Sequence, residues 1–477
     1  MRPMRIPRTL ACTVGTVVLA SLLPAQDHAT RVLGNPRVLQ GPMLGVVDAT
    51  TARIWMRLSA DVAASVLIGR EPDLADARES ARVVASRAND RCVELVVDGL
   101  EPGTTWSWRP LVQGRPDKYL GGLAPFTLTT PAAGPARTRF AFGSCARFSS
   151  DREQPIWRAV AGARPDVFLW LGDNVYADTD DPLVLAEEYR RQRDVASLQP
   201  LLRSTPQLAI WDDHDFGLND HDRTSPMRDD ARLVFRRHWA NPGCGTASTP
   251  GVFFAWSRSG TDGFFLDVRS WRDPNAQPDG EGKTMLGAGQ LAWLKEQLAA
   301  STAPFKLIFS GSGWSAAKGP GGDSWASYRH ERDALFTWIA ERGIRGVVLV
   351  SGDTHVGELN CIPWSERGGY DLYELVSSPL AQLPETSWRE RQPELRIRPV
   401  YARSENFGLI DVDPTLADPK LTFTLVDREG REAMAPLELR ASELVPGVAS
   451  WRSKIAREEL LRLEARQRAA VEAGAKR

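Results

Sequence analysis

Seven side chains in this sequence combine the types and positions that metal-assisted hydrolysis needs, and each follows a short apolar run that reads as a buried β-strand. Arg139-Phe-Ala-Phe142 ends in Gly143-Ser-Cys145. Asp166-Val-Phe-Leu-Trp-Leu171 ends in Gly172 and Asp173, with Tyr176 three residues on. Gln207-Leu-Ala-Ile-Trp211 runs into Asp212-Asp-His-Asp215, and Gly346-Val-Val-Leu-Val350 into Ser351-Gly-Asp-Thr-His355. In open α/β sheets the C-terminal strand ends are where ligands bind. Each residue alone has an ordinary alternative: Cys145 a buried thiol, His214 a polar turn residue, Asp353 a helix cap. Four strand ends of the same kind make metal binding the better reading.

Donor softness sorts these residues into two sites. The Cys145 thiolate, Tyr176 phenolate and His355 imidazole suit a transition metal, and two anionic donors favour a high oxidation state. Asp173, Asp213 and Asp353 are hard oxygen donors that suit Ca²⁺, Mg²⁺ or Mn²⁺, with Asp173 as the bridge. His214 stands beside a ligand and is a candidate proton donor to a leaving group. Arg269 follows the predicted strand Phe264-Phe-Leu-Asp-Val268 and is a candidate phosphate clamp; a salt bridge to a neighbouring carboxylate is the alternative. Asp323-Ser-Trp325, in a glycine-rich loop, is a candidate pocket wall.

The elements that must carry these residues are an α/β core. Apolar strands alternate with helices expected over residues 155–163, 183–198, 229–240, 289–300 and 331–342. Residues 35–130 instead alternate in short β-like runs such as Ala52-Arg-Ile-Trp-Met-Arg57, which predicts an antiparallel sandwich. Leu100-Glu-Pro-Gly-Thr-Thr-Trp106 resembles the corner of fibronectin III-like domains, with Trp106 where a tyrosine is usual. Residues 441–477 are rich in Glu and Arg and read as a charged helical or disordered tail, with Leu460, Leu461 and Leu463 as anchors.

The chain of 477 residues is 42% hydrophobic, enough for more than one sizeable core, and its net charge of −1 gives no general pull towards nucleic acid or anionic membrane. Only eight of its 59 basic residues are lysine, an arginine excess that points to genome composition. Arg2, Arg5 and Arg8 precede an apolar run from Thr9 to Leu23 and a cleavage point at Pro24-Ala25-Gln26. This predicts a leader over residues 1–26 and export to the periplasm or beyond, with no adjacent Arg-Arg pair for the twin-arginine route. Cys12 goes with the leader. Cys92, Cys244 and Cys361 show no metal-knuckle or disulfide spacing.

Gly143-Ser-Cys145, Gly172-Asp-Asn-Val-Tyr-Ala-Asp178, Ile210-Trp-Asp-Asp-His-Asp-Phe-Gly-Leu-Asn-Asp220, Ser351-Gly-Asp-Thr-His355, Ser378-Pro379 and Asn406-Phe-Gly-Leu-Ile-Asp411 together resemble the PhoD-type alkaline phosphatase/phosphodiesterase family of calcineurin-like metallophosphoesterases. The resemblance implies a catalytic domain over residues 137–440 built from two packed β-sheets flanked by helices. It implies Fe³⁺ held by Cys145, Asp173, Tyr176 and His355, and Ca²⁺ near Asp173, Asp213 and Asp353; Zn²⁺, Mn²⁺ and Mg²⁺ are the alternatives. Asn219 is a candidate substrate contact or further metal ligand. Small phosphate monoesters or diesters are the expected substrates, with nucleic acid or phospholipid only as diesters, and no stable protein partner is implied for a monomer. The competing readings are a surface-binding protein with a degenerate phosphatase core, a phospholipase D-like phosphodiesterase, or an enzyme cleaving another bond with the same metal pair.

Overall fold

The computed structural model describes residues 34–475; the leader expected over residues 1–26 lies outside the described residues. From Pro36 the chain forms a single unit. Val38–Val47, Ala52–Leu58 and Cys92–Val97 form a three-stranded antiparallel sheet, and Ala63–Gly69 and Thr105–Val112 are the centre of a second one. The period of two sends Ile54, Met56, Leu95, Val66, Ile68 and Trp108 into one core between these sheets. Trp55 and Cys92 point the other way and pack on the helices of the following layer, where the Trp55 indole donates to the Arg237 carbonyl at 2.6 Å. Trp106 is buried with its indole N–H unpartnered and the Arg70 guanidinium 5.6 Å over its ring. No corner hydrogen bond forms there.

Two further sheets hold the strand ends. In the six-stranded one, Thr138–Gly143 lies parallel to Val167–Leu171, which lies parallel to Gln207–Ile210. The other edge of Thr138–Gly143 pairs antiparallel with Asn406–Asp413, followed outward by Lys420–Asp427 and Leu437–Arg440. The seven-stranded sheet runs Phe254–Arg258, Thr261–Phe265, Phe305–Ser310, Val347–Ser351, Leu372–Val376, Glu358–Ile362 and Leu395–Arg396. Four of these, from Thr261–Phe265 to Leu372–Val376, are parallel neighbours.

The two sheets pack face to face because alternate residues of each are apolar on the shared side. Phe140, Phe142, Leu169 and Leu208 from one meet Phe264, Leu307, Val348 and Leu375 from the other in a single core. Phe142 lies opposite Gly408 on the neighbouring strand, where a Cβ would meet its ring at 2.2 Å; the missing side chain is the space the ring fills. The outer face of the six-stranded sheet, with Phe168 and Trp170, is covered by Ile156–Gly162, Pro182–Asp194 and Arg228–His238. Gly287–Ala300 and Arg329–Glu341 bury Leu294, Leu298, Leu335 and Phe336 on the core that includes the second sheet.

Two sequence-based boundaries shift. The strand expected at Phe264–Val268 spans Thr261–Phe265, because the Asp267 carboxylate caps a turn by accepting from the backbone N–H groups of Arg269 and Ser270 at 3.0 and 2.9 Å. After residue 440 the chain is ordered against the body: Leu444 and Trp451 are buried, and Arg457–Ala475 is helical with Leu463 against the core and Leu461 exposed. Among the described residues no helix is long and apolar enough to cross a membrane.

Candidate metal centre

The C-terminal ends of strands from both sheets abut at one edge, and glycines let them do so. A Cβ on Gly172, whose φ is +88°, would meet the Asp212 Cβ at 2.6 Å, and one on Gly352 would meet the Ser144 Oγ at 2.4 Å. Ser144 is the joint between the sheets, its Oγ accepting from the Asp353 backbone N–H at 3.0 Å. Cys145, Asp173, Asp353 and His355 all adopt left-handed φ, between 50° and 70°. L-residues enter that region at an energetic cost, and such residues cluster at functional sites.

Asp173 is the hub. Its Oδ2 accepts from the Cys145 thiol at 3.3 Å and from the Tyr176 hydroxyl at 3.3 Å, and Tyr176 Oη lies 3.1 Å from His355 Nε2. The ligand atoms of Cys145, Asp173 and His355 lie within 4.8 Å of one another, as do those of Asp173, Asp213 and His214. One buried carboxylate thus belongs to two groups, and its Oδ1 is buried without a hydrogen-bond partner. Burial and the neighbouring Cys145 push the Asp173 carboxyl well above its usual range. Burial also raises the Cys145 thiol to about 11 and the Tyr176 phenol, and it lowers His355. Desolvated anionic donors around an unpartnered carboxylate oxygen fit cations, whose charge stabilises thiolate, phenolate and carboxylate together. Cys145, Asp173, Tyr176 and His355 fit the softer ion; Asp173 and Asp213 fit the harder one.

His214 is held on two sides. Its Nδ1 is 2.5 Å from Asp178 Oδ1, and its ring packs on Tyr176 with centroids 4.0 Å apart. Burial lowers its basicity, but Asp173, the hydrogen bond to Asp178 and Asp213 outweigh that and raise it to about 10. Asp213 accepts the Asp220 backbone N–H at 2.7 Å; burial would raise its carboxyl, and Arg269 with His214 reverses the sign. Asn219 is exposed beside this turn.

Arg269 does not face a substrate. It is fully buried and ion-paired with Asp212 and, at 2.6 Å, with Asp323; it also donates to the His221 carbonyl at 3.2 Å and to Ser312 at 3.3 Å. With every nitrogen engaged it clamps carboxylates rather than phosphate, which corrects the reading of Arg269 as a substrate and catalytic residue. Arg272 pairs with the same Asp323, so the acidic group Asp212, Asp213 and Asp323 already has its cations. Asp353 stands apart from both candidate groups: its Oδ2 is 2.5 Å from Lys318 Nζ. Lys318, Asp178 and Asp212 escaped sequence reasoning; only the glycines flanking Lys318 marked its loop as able to approach the centre.

A further Asp90, Cys92 and His238 group lies between the sandwich and the helices. It is a poor cation site. Asp90 is ion-paired with Arg57 and Arg190, and burial together with Arg193, Arg190, Arg57 and Arg237 drives His238 well below its usual range.

Residues 258–414 match the model of the PhoD-like phosphatase family, a stretch that includes Arg269, Asp323, Asp353 and His355. Alkaline phosphatase D of Bacillus subtilis (strain 168) is 25% identical over 313 residues, which is 55% of this chain and 53% of that protein; the match thus spans about half of this curated relative. Among solved structures, that of PhoD superposes with a TM-score of 0.68 at 16% identity, covering 93% of this chain and 100% of that one. Purple acid phosphatase PPD1 from yellow lupin (Lupinus luteus) seeds superposes at 0.57 and 11% identity, covering 85% and 74%. At these identities the structural likeness is one of fold. Residues 258–414 thus carry the pattern of PhoD-like phosphatases, and the chain is similar in sequence to alkaline phosphatase D and in fold to PhoD.

Proposed function

We propose that the protein is an exported metal-dependent phosphoesterase that hydrolyses phosphate monoesters, diesters or both. One observation carries the reading: the buried Asp173 carboxylate is shared by two ligand groups and keeps one oxygen free. When bound, a cation pair supplies Lewis acidity and makes water a stronger nucleophile at neutral pH. The chain's own residues do the rest. Asp173 fixes the spacing of the two groups. Asp178 holds His214 Nδ1, which leaves Nε2 to hand a proton to the departing oxygen. Arg269 and Arg272 hold the surrounding carboxylates in place. The sandwich over residues 35–130, which we read as fibronectin III-like, braces the helical layer behind the centre. Turnover of one chromogenic monoester and one diester, with elemental analysis before and after chelation, tests the proposal. Metal-replete protein that hydrolyses neither overturns it.

His214→Ala is expected to keep its bound metal and lose about 100-fold in kcat, the lower range for removal of a general acid. Loss of metal instead would make His214 a ligand.

We assign Fe³⁺ to the Cys145, Asp173, Tyr176 and His355 group and Ca²⁺ to the group formed by Asp173 and Asp213, with Asp353 joining once released from Lys318. Filled sulfur and phenolate orbitals transfer charge to Fe³⁺ in visible light, so purified protein should be coloured. Tyr176→Phe shifts or weakens the band, and Cys145→Ser weakens iron retention as well, because a hydroxyl is a harder and normally protonated donor. A colourless, active protein without iron would move the assignment to Zn²⁺, Mn²⁺ or Mg²⁺.

A further inference from the structure

The segment 389–403 and the helix Arg457–Ala475 enclose a groove of about 670 Å³ lined by Arg389, Arg391, Arg396, Arg403, Arg462 and Arg466. Two of the six are structural. Arg396 is buried, pairs with Glu358 at 2.9 Å, and donates to the carbonyls of Arg389 and Arg391 at 3.3 and 3.0 Å. Arg462 pairs with the buried Glu459 at 2.6 Å. Arg389, Arg391, Arg403 and Arg466 form no salt bridge among the described residues, and the Arg466 Nε is buried without a hydrogen-bond partner. Glu390 is the other acid of the lining. Arg389, Arg403 and Arg466 therefore line one concave space without a salt bridge, and Arg391 lines it with its guanidinium over Trp388 and near Glu385.

The groove is tied to the centre through Trp388. That ring packs with Val356, next to His355, and with Ala317, next to Lys318, in one small apolar cluster that also holds Ala402 and Val400. Its indole donates to Glu358 at 2.7 Å, and the Arg391 guanidinium lies 5.7 Å over it. The Glu385 N–H, at the start of the same turn, donates to the His355 carbonyl at 3.0 Å. The turn that carries Arg389 and Arg391 is thus tied to His355 by one hydrogen bond and one apolar cluster.

We propose that this groove binds the remote phosphates of a substrate carrying several phosphate groups in a chain; the identification as substrate rests on the phosphoesterase reading, the anion binding does not. Arginine pairs bidentately with phosphate and stays charged at any working pH. A membrane surface is a poor occupant, because the site is concave and the exposed Leu383, Leu461 and Val471 lie outside its lining. No aromatic ring lines it, so bases have nothing to stack on and the phosphate chain alone is recognised.

The test is fluorescence anisotropy of a labelled 12-residue oligothymidylate with purified protein, its integrity checked on a gel. Expected are binding that weakens steeply with salt, competition by inorganic polyphosphate, and no binding of the uncharged methylphosphonate analogue. Replacing Arg389, Arg391, Arg403 and Arg466 by Ala should cost at least about tenfold in affinity and flatten the salt slope by roughly 2–3, at about 0.7 per phosphate contact. The pair Arg403→Ala/Arg466→Ala gives a smaller loss if the fourfold variant does not fold. Turnover of a small chromogenic ester should be unchanged in both. Unaltered affinity and slope in these variants, a similar loss when the exposed Arg115 and Arg342, which lie outside the groove lining, are replaced by Ala, or failure of polyphosphate to compete overturns the proposal. Binding by this groove in a protein that hydrolyses no ester would reject the phosphoesterase reading and leave the anion site standing.

Discussion

Asp173→Asn lowers turnover of a phosphate ester by at least about 10⁴-fold, because it removes the one charge shared by both ligand groups and with it the nucleophile that a cation pair generates. The substitution preserves shape, so the fold should survive. The amide can still accept from Cys145 and Tyr176 as the carboxylate does now at 3.3 Å. What it cannot do is balance two cations. Steady-state kinetics with elemental analysis of the same preparation reads both effects. Native turnover with both metals retained would remove Asp173 from the bridge.

The second large effect falls on stability. Arg269→Met takes a fully buried guanidinium from between Asp212 and Asp323 and leaves the desolvated Asp212 without its ion pair, while Asp323 keeps Arg272. Breaking a buried pair on one side costs about 3–5 kcal/mol. Burial already raises the Asp212 carboxyl to about 7 against the pull of Arg269, and without the guanidinium it rises further. A carboxyl whose folded pKa exceeds its unfolded one destabilises the fold progressively as pH climbs between the two. The variant should therefore lose more stability at pH 8 than at pH 5. Denaturant unfolding at the two pH values checks this, and Arg269→Met/Asp212→Asn should recover part of the loss. An equal, small change at both values would show that Arg269 is not holding these charges.

Much of the architecture was open to reading from hydrophobic pattern alone. The run Val167–Leu171 is apolar at every position and stops at glycine, which is what a strand covered on both faces and ending at a site looks like. Arg228–His238 and Gly287–Ala300 begin and end within two residues of the expected helices. The short edge strands Leu395–Arg396 and Leu437–Arg440 left no signal, because too few residues alternate in either. The site divides the same way. Residues at strand ends are marked by the strand before them. Arg269, Asp323 and Lys318 act through contacts made across the fold, and no local period records such contacts. Arg269 shows the limit most clearly: its residue type fits a phosphate clamp, and only its burial between Asp212 and Asp323 shows what it holds.

The pairing of Thr138–Gly143 with Asn406–Asp413 sets a clock on biosynthesis. Arg139 meets Asp411 across 272 residues of chain. At about 5–20 residues per second, a ribosome needs roughly 14–54 s to make that stretch. Throughout that interval one edge of Thr138–Gly143 has no native neighbour, and Phe140 and Phe142 lack part of the core that later covers them. An unpaired, apolar strand edge is the kind of surface that aggregates. The nascent chain should therefore need a holding factor until residue 413 is in place, and proteins released by truncation before Asn406 should be insoluble however well their first half folds.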